Sequence, residues 1–494
     1  LGDNCVIVKR PRLVCDDKQS GATLVGLATA MSHACRSCGC NAHNALCYRH
    51  GTRQPPVVRD FVFSRDFFLQ LRPLVADSYY DYFSHWEDAW IEKWPLGKRR
   101  AIENSETFEF VCPDEITCMV KREGGHTFPK KARCIQYYRT MCTQSLFGPH
   151  FTALQKACVE VLYRRGQKIK VTLASGLNSV QLGRWMSDCL DEYDTPFFYE
   201  RDGKSWDATM QRAHHDLKLV LYDVVGDDFV RFVEQGFSVR ACGRFDTGEL
   251  KYRLRGTVKS GHNDTTLGNS LVNAAIAFEA MSVLGLSGDI IVAGDDLLVV
   301  LASDFDEHAF ARVESELGIT PEYRKFNDYR DVSFISGIWC DAGGLLFVPK
   351  PGRLLSRLMW TTKPPIPRDF DAYVHSVVVG QRDLSGFLPV MNAFYRANDR
   401  DARLIATGKR PLVDPGLPDV DPMRVFAWFC DRYSIVPAEI ADCESFVLGH
   451  AGKVGLLVHP VLDQIMSVDL SDLGDRPVVG TDYRSVGVHG PSCQ

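Results

Sequence analysis

Between about Thr195 and Cys340 the chain alternates short, unbroken apolar runs with stretches whose apolar residues recur every three or four positions. The runs "TPFFYE", "DIIVA" and "LLVVLA" are short and rich in β-branched and aromatic residues, which predicts strands. Leu217, Val220, Leu221, Val224 and Val225 follow helical spacing, as do Leu271, Ala274, Ala275 and Phe278. Strands alternating with helices predict an α+β core. After about Lys350, "RLLSRLMW" and "DPMRVFAWFCDRY" carry a helical tendency broken by Pro364, Pro365 and Pro367. Ahead of the core lies a mixed region, aromatic from Phe61 to Trp94 and then basic. The first 50 residues are rich in Cys and His, and "GTRQPP" (Gly51 to Pro56) reads as a linker. No internal repeat or low-complexity tract is present.

Gly-Asp-Asp occurs twice within this pattern, at residues 226–228 and 294–296. The first copy ends one helical stretch and begins another, carrying Phe229, Val230, Phe232 and Val233. Gly226 is therefore expected as a helix C-terminal glycine, with Asp227 or Asp228 capping the next helix. The second copy joins "DIIVA" to "LLVVLA" over very few residues, a hairpin pattern. Asp295 and Asp296 would sit at the tip of two buried strands, where adjacent carboxylates repel unless a cation binds them. The plain alternative is a polar turn on an ordinary hairpin.

Composition narrows this picture only a little. The 494 residues are 45% hydrophobic, enough for a large core in two to four domains or subdomains. Lys and Arg number 57 against 62 Asp and Glu, a formal charge of −5, which still permits a basic nucleic-acid channel beneath acidic outer surfaces. Seventeen scattered Cys make no disulfide framework at this length and fit a reducing compartment. No signal-peptide pattern opens the sequence. The most apolar stretch, Phe446 to Met466, is interrupted by His450, Lys453, His459 and Asp463, so no transmembrane helix is expected. A chain beginning at Leu1 rather than Met is the form expected of a processed piece of something longer.

A metal site on one hairpin needs a further carboxylate from a neighbouring strand, and "FFYERDGKSWDATM" offers Asp202 with Asp207 five residues on. Between them and the hairpin lies "RGTVKSGHNDTTLGNSLVNAAIAFEAM", a Gly- and Ser-containing loop leading into a long helix. In this order and spacing the three segments resemble the right-hand palm of viral RNA-dependent RNA polymerases. Asp202 and Asp207 match the first motif, Asp-x4-Asp. Ser260, Gly261, Thr265 and Asn269 match the second, Ser-Gly-x3-Thr-x3-Asn, and Gly294, Asp295 and Asp296 match the third. The wording is closest to positive-strand RNA virus enzymes of the tombusvirus- and nodavirus-like kind. "CMVKREGGHTFPKKARCIQYYR" (118–139) is similar to the basic fingers motif, with Lys121, Glu123, Lys130, Lys131 and Arg133 in its places.

The resemblance implies an α+β right-hand fold with an antiparallel palm sheet. Its divisions fall at 1–56 (Cys/His-rich head and linker), 57–194 (fingers), 195–345 (palm with inserted fingers elements) and 346–494 (thumb). It implies template-directed RNA synthesis from ribonucleoside triphosphates with two Mg²⁺ or Mn²⁺ ions, which lie ~3.5–4 Å apart in such sites. Asp202, Asp295 and Asp296 would hold the metals, aided by backbone carbonyls between Arg201 and Lys204. Asp207, Ser260, Thr265 and Asn269 would face the nucleotide, with Asp207, Ser260 and Asn269 sensing the ribose 2′-hydroxyl. Lys121 and Arg133 would pair with the triphosphate, and Lys325 is the candidate general acid near pyrophosphate. Implied partners are template and product RNA, other viral replication proteins and membrane-anchored proteins, in complexes on host cytoplasmic membranes. A reverse transcriptase is disfavoured, because Ala293-Gly294 replaces the aromatic residue those enzymes carry before the paired Asp. A non-catalytic scaffold is disfavoured by the intact carboxylates.

The head falls outside the resemblance. Cys35, Cys38, Cys47 and His50 are spaced Cys-x2-Cys-x8-Cys-x2-His, which suits a tetrahedral structural Zn²⁺. Cys40 and His43 lie between the pairs and could substitute. The alternative is a cluster of reduced cysteines packed as small apolar side chains.

Overall fold

The computed structural model describes residues 1–13, 18–20, 22–23, 32–86, 90–94, 96–105, 114–121, 132–138, 141–163, 167–361, 367–405, 420–451 and 457–470. Glu123, Lys130 and Lys131 lie outside the described residues.

A central five-stranded sheet runs in the order Pro321–Phe326, Phe197–Gly203, Asp296–Leu301, Gly288–Ala293, Ile169–Leu173. The first four strands pair antiparallel, and Ile169–Leu173 joins parallel to Gly288–Ala293. Four strands thus pair as an antiparallel sheet, and a fifth, parallel strand that was not anticipated makes the whole sheet mixed. Strand direction is invisible in these runs because most of them are buried on both faces, which removes the alternation that marks a one-sided antiparallel sheet. Tyr199, Val299, Ile290 and Val292 face one core, while Phe198, Leu298, Val300 and Ile291 face another.

The first face is covered by the long helix Asp264–Val283, which packs in turn on Val62–Trp86. Apolar residues were expected on one side of this helix, yet it is buried nearly all round, and its polar residues answer specific partners. Glu279 accepts bonds from the backbone N–H groups of Val62 (3.1 Å) and Ser64 (2.8 Å), satisfying donors at the start of Val62–Trp86 that have no partner within that helix. The second face is covered by Ser179–Glu192, started by a capping box between Asn178 and Gln181. This helix crosses the hairpin Gly337–Asp341/Leu345–Pro349 so closely that a Cβ on Gly183 would lie 1.8 Å from the Leu345 carbonyl oxygen.

A second five-stranded sheet has the order Cys5–Lys9, Gly248–Arg255, Ser238–Phe245, Glu115–Val120, Cys134–Tyr138. Its inner face packs Val239, Ala241, Leu250 and Leu254 against Ala42, Ala45 and Leu46. The head is therefore built into this sheet, as edge strand and cover. The C-terminal helices, including Phe370–Ser385, Met391–Asn398, Pro422–Tyr433, Pro437–Gly449 and Pro460–Leu470, enclose a separate core around Val374, Phe394, Phe429 and Ile465. Asp421 caps Pro422–Tyr433 by accepting from Met423 N (2.9 Å) and Arg424 N (3.2 Å). Among the described residues no helix is long and apolar enough to cross a membrane.

The first Gly-Asp-Asp lies at a helix boundary, as its pattern predicts. Gly226, at φ +119°, precedes Asp227–Gln235. Asp227 and Asp228 occupy the first turn rather than the cap and make no capping bond, so their contribution is a favourable charge at the helix N-terminus.

Candidate active site

The second Gly-Asp-Asp forms the expected hairpin tip. Ala293 and Asp296 are the last paired residues, leaving Gly294 and Asp295 as a two-residue loop. Gly294 adopts φ +67°, the positive angle a hairpin of this type requires at its first loop position, which a side chain would oppose. Asp202 is the last residue but one of the neighbouring strand Phe197–Gly203: the ladder pairs Arg201 with Leu297, and one step further lie Asp202 and Asp296. On its other side Asp202 pairs with Glu322.

These carboxylates share one electrostatic field. Burial, then the charges of Asp295 and Glu322, raise the Asp202 carboxyl above the usual range. Burial, then Asp295 and Asp202, push Asp296 up to about 7. Burial and Asp295 push Asp207 up to about 6, against the opposing bond from Asn269 and the charges of Arg133 and Arg49. A bound cation would relieve this crowding, and an all-carboxylate donor set suits a hard divalent ion. Among the described residues, however, no three His, Cys, Asp or Glu side chains are drawn together into a ready cage. The strand ends supply the charge, and closing the shell requires side-chain movement.

The turn itself is held from behind by residues that the motif spacing did not single out. Gly294 N–H donates to Ser270 Oγ (2.8 Å), and Asn273 Nδ2 donates to the carbonyls of Gly294 (3.0 Å) and Asp296 (3.2 Å). Asn273 Oδ1 accepts from Arg201 Nη2 (2.7 Å), and Arg201 Nε donates to Glu314 Oε1 (3.1 Å). Tyr199 OH donates to the other Glu314 oxygen (2.7 Å). The Arg201–Glu314 pair is fully buried, and the Arg201 guanidinium lies over the Trp206 ring. Its bonds to Asn273 and Tyr199 tie the strand that carries Asp202 to the turn that carries Asp295, while Arg201 Nη1 stays buried without a hydrogen-bond partner among the described residues. A signal for Ser270 and Asn273 was present in the sequence: polar residues in an otherwise apolar helix.

The nucleotide candidates separate into groups. Asn269 Nδ2 donates to Asp207 Oδ1 (3.1 Å), joining the first and second motifs, and Asn269 Oδ1 is buried without a partner among the described residues. Thr265 Oγ1 donates to the Lys259 carbonyl (3.0 Å), and Ser260 O accepts from Gln136 N (2.6 Å), so both shape the loop. Lys121 N–H donates to the Arg133 carbonyl (2.8 Å), and the Arg133 charge reaches Asp207. Lys325 lies opposite Tyr199, three positions from the Glu322–Asp202 pair and on the other face of its strand. Its ammonium bonds Asp304 (2.5 Å) and the Phe305 carbonyl (2.6 Å), away from the carboxylates.

Arg49, from the head, was not anticipated. His50 Nε2 accepts the backbone N–H of Cys134 (3.0 Å), next to Arg133, and Gln54 donates to the carbonyls of Ala208 and Met210 just beyond Asp207. These bonds bring Arg49 close enough for its charge to act on both Asp202 and Asp207. From the other side Arg353 acts on Asp296. The four zinc candidates do not gather as one set of three or more ligands among the described residues. His50 is turned to Cys134, Cys47 Sγ faces His43 (3.7 Å to Nε2), and Cys35, Cys38 and Cys40 pack together as buried thiols.

Residues 115–378, just over half of the chain, match a protein family described as RNA dependent RNA polymerase. The chain belongs to this family of viral RNA-dependent RNA polymerases. No curated protein matches it.

Proposed function

We propose that the chain copies an RNA template into RNA by nucleotidyl transfer at Asp202, Asp295 and Asp296, for viral genome replication and transcription. The observation that carries this reading is the convergence of three separate segments. A strand end (Asp202), a hairpin tip (Asp295, Asp296) and a helix (Asn269, bonded to Asp207) meet in one field of mutually repelling carboxylates. Two Mg²⁺ or Mn²⁺ ions, when bound by these carboxylates, would activate the 3′-hydroxyl and steady the departing pyrophosphate.

The chain's own residues do the rest. Ser270 and Asn273 hold the turn so that Asp295 keeps its place beside Asp202. The unpartnered Asn269 Oδ1 accepts a hydrogen bond from the ribose 2′-hydroxyl, while Asp207 orients the Asn269 amide. A deoxyribose would leave that oxygen unpaired, a strong basis for rejection. Arg133 and Arg49 offer cations to the triphosphate, with Lys121 beside them. Arg353, whose charge acts on Asp296, would meet the phosphates of the RNA strand.

In this reading the central sheet is the palm, the second sheet belongs to the fingers and the C-terminal helices form the thumb. The motif wording favours the tombusvirus- and nodavirus-like enzymes, and attachment to host membranes falls to partner proteins. The test is incorporation of labelled ribonucleotides on an RNA template with Mg²⁺ or Mn²⁺. A folded wild-type chain that incorporates none in either metal would overturn the proposal.

A further inference from the structure

The second sheet has one face packed against the head and one face open to solvent. Its strands alternate accordingly: Val239, Ala241, Leu250 and Leu254 point inward, while Arg240, Arg244, Lys251 and Arg253 point outward. The outer face forms an open trough of about 920 Å³, whose lining includes five cations, Arg36, Arg240, Arg244, Lys251 and Arg253, against two carboxylates, Glu115 and Glu249. A chain with a formal charge of −5 has thus gathered an excess of positive charge on one concave face.

The carboxylates do not use up this charge. Glu249 is shared by Lys9 (3.0 Å), Lys251 (3.3 Å) and Arg244 (3.6 Å), three cations on one acid. Arg240 leans on Asp114 (3.0 Å) and Glu115 (3.3 Å). Among the described residues Arg36 reaches only the Met119 sulfur (2.8 Å), and Arg253 has no carboxylate partner. Ion pairs this exposed contribute little, so their cations remain available to a stronger anion. The strand lattice sets the spacing: successive outward residues recur about every 6.8 Å along a strand and every 4.8 Å across strands. Tyr137 also lines the trough.

We propose that this outer sheet face is a second RNA-binding surface, separate from the carboxylate centre, which holds the phosphate backbone of a single strand. A flexible polyanion fits a concave lattice of cations, and an aromatic side chain in the lining gives bases a stacking platform. A flat bilayer would not reach the floor of a trough. Choosing RNA among polyanions rests on the polymerase reading above.

The experiment uses the full chain and a fluorescently labelled single-stranded RNA of about 20 nucleotides, with binding followed by anisotropy from about 50 to about 200 mM salt. Arg36→Glu/Arg253→Glu breaks no ion pair among the described residues. It is expected to bind RNA at least tenfold more weakly and to lower the slope of log affinity against log salt by roughly 1.4, two contacts at about 0.7 each. Arg36→Lys/Arg253→Lys should keep wild-type affinity, and nucleotide incorporation by Arg36→Glu/Arg253→Glu on a template too short to extend from the carboxylate centre to this face should be unchanged. Should the double reversal unfold the chain, Arg244→Glu alone supplies the comparison, with a slope change of about 0.7. Unchanged affinity and slope in a folded variant would overturn the proposal. So would a preference for duplex RNA, or loss of binding to anionic phospholipid vesicles with RNA affinity intact. Asp295→Asn separates the two readings. If wild type and Asp295→Asn bind RNA through this face but neither incorporates nucleotides, the polymerase reading fails and this one stands. If wild type polymerises and Arg36→Glu/Arg253→Glu binds RNA normally, this one fails alone.

Discussion

Asn273→Ala tests whether the Gly294–Asp295 turn, the proposed catalytic turn, is held from behind. The substitution removes two donated bonds to the Gly294 and Asp296 carbonyls and the acceptor used by Arg201. Each buried group left unpaired costs ~1–3 kcal/mol. The bonds to the two carbonyls are only part-buried and those oxygens can turn partly to water, so the total loss is expected at roughly 2–4 kcal/mol. Asn273→Asp is the informative companion, because it keeps an acceptor for Arg201 but sets a carboxylate against two carbonyl oxygens. Urea denaturation should show Asn273→Ala clearly destabilised and Asn273→Asp less so. Single-nucleotide incorporation should fall at least tenfold in kcat for both, with little change in nucleotide KM, since neither touches the triphosphate. If Asn273→Ala keeps its urea midpoint and full incorporation, the turn does not depend on this side chain and the buried network is not a positioning device.

Asp295→Asn should abolish incorporation in a chain that still folds, whereas Asp227→Asn should cost ~0.3–1 kcal/mol, the value of a charge at a helix N-terminus, and leave activity near wild type. Equal inactivation of both folded variants would mean that the wrong copy has been assigned. Asn269→Ala should relax discrimination against deoxyribonucleotides, and Arg49→Ala should raise KM for all four nucleotides with the sugar preference kept; the reverse result would refute the division of roles. His50 accepts the Cys134 N–H, and burial, with Arg49 and Arg133, pushes it down to about 3, so the unfolded chain takes up its proton first as pH falls below about 6.5. This group therefore loses ~2 kcal/mol of stability between pH 6.5 and 5. The raised carboxyls of Asp207 and Asp296 act in the opposite direction, so the readout is the difference from His50→Gln, whose urea midpoint should fall less on acidification; parallel pH profiles would refute the neutral, buried histidine.

The Gly-Asp-Asp hairpin was legible because its flanks are continuous apolar runs, while the flanks of the other copy keep helical spacing. The Asp207–Asn269 contact was legible only through motif order. Local pattern could not reveal the Arg201–Glu314 pair, whose partners lie 113 residues apart. The head's place in the second sheet was equally hidden, since Cys5–Lys9 pairs with a strand nearly 250 residues later. The face that Lys325 occupies was hidden for a sharper reason. Successive side chains alternate between faces, so an offset of three from Glu322 puts Lys325 on the face opposite the one Asp202 uses. In the head, Cys and His spacing is compatible both with a metal and with packed thiols, and the contact His50 makes with Cys134 is again a distant one.

The helix Asp264–Val283 carries Asn269, Ser270 and Asn273 within about one turn, and Glu279 two turns further on. With a rise of about 1.5 Å per residue, Asn269, the proposed sugar reader, and Asn273, the clamp on the turn, are separated by about 6 Å of hydrogen-bonded rod. That rod works as a machinist's gauge block: the gap between the selecting group and the reacting group is cut into one rigid part, with no loop to add slack. Wear at either end then shows at both. A substitution that tilts the rod to admit a different sugar would also shift the Gly294–Asp295 turn, so looser selection and slower synthesis should arrive together. Variants that change one without the other would have to act at the surfaces the rod touches.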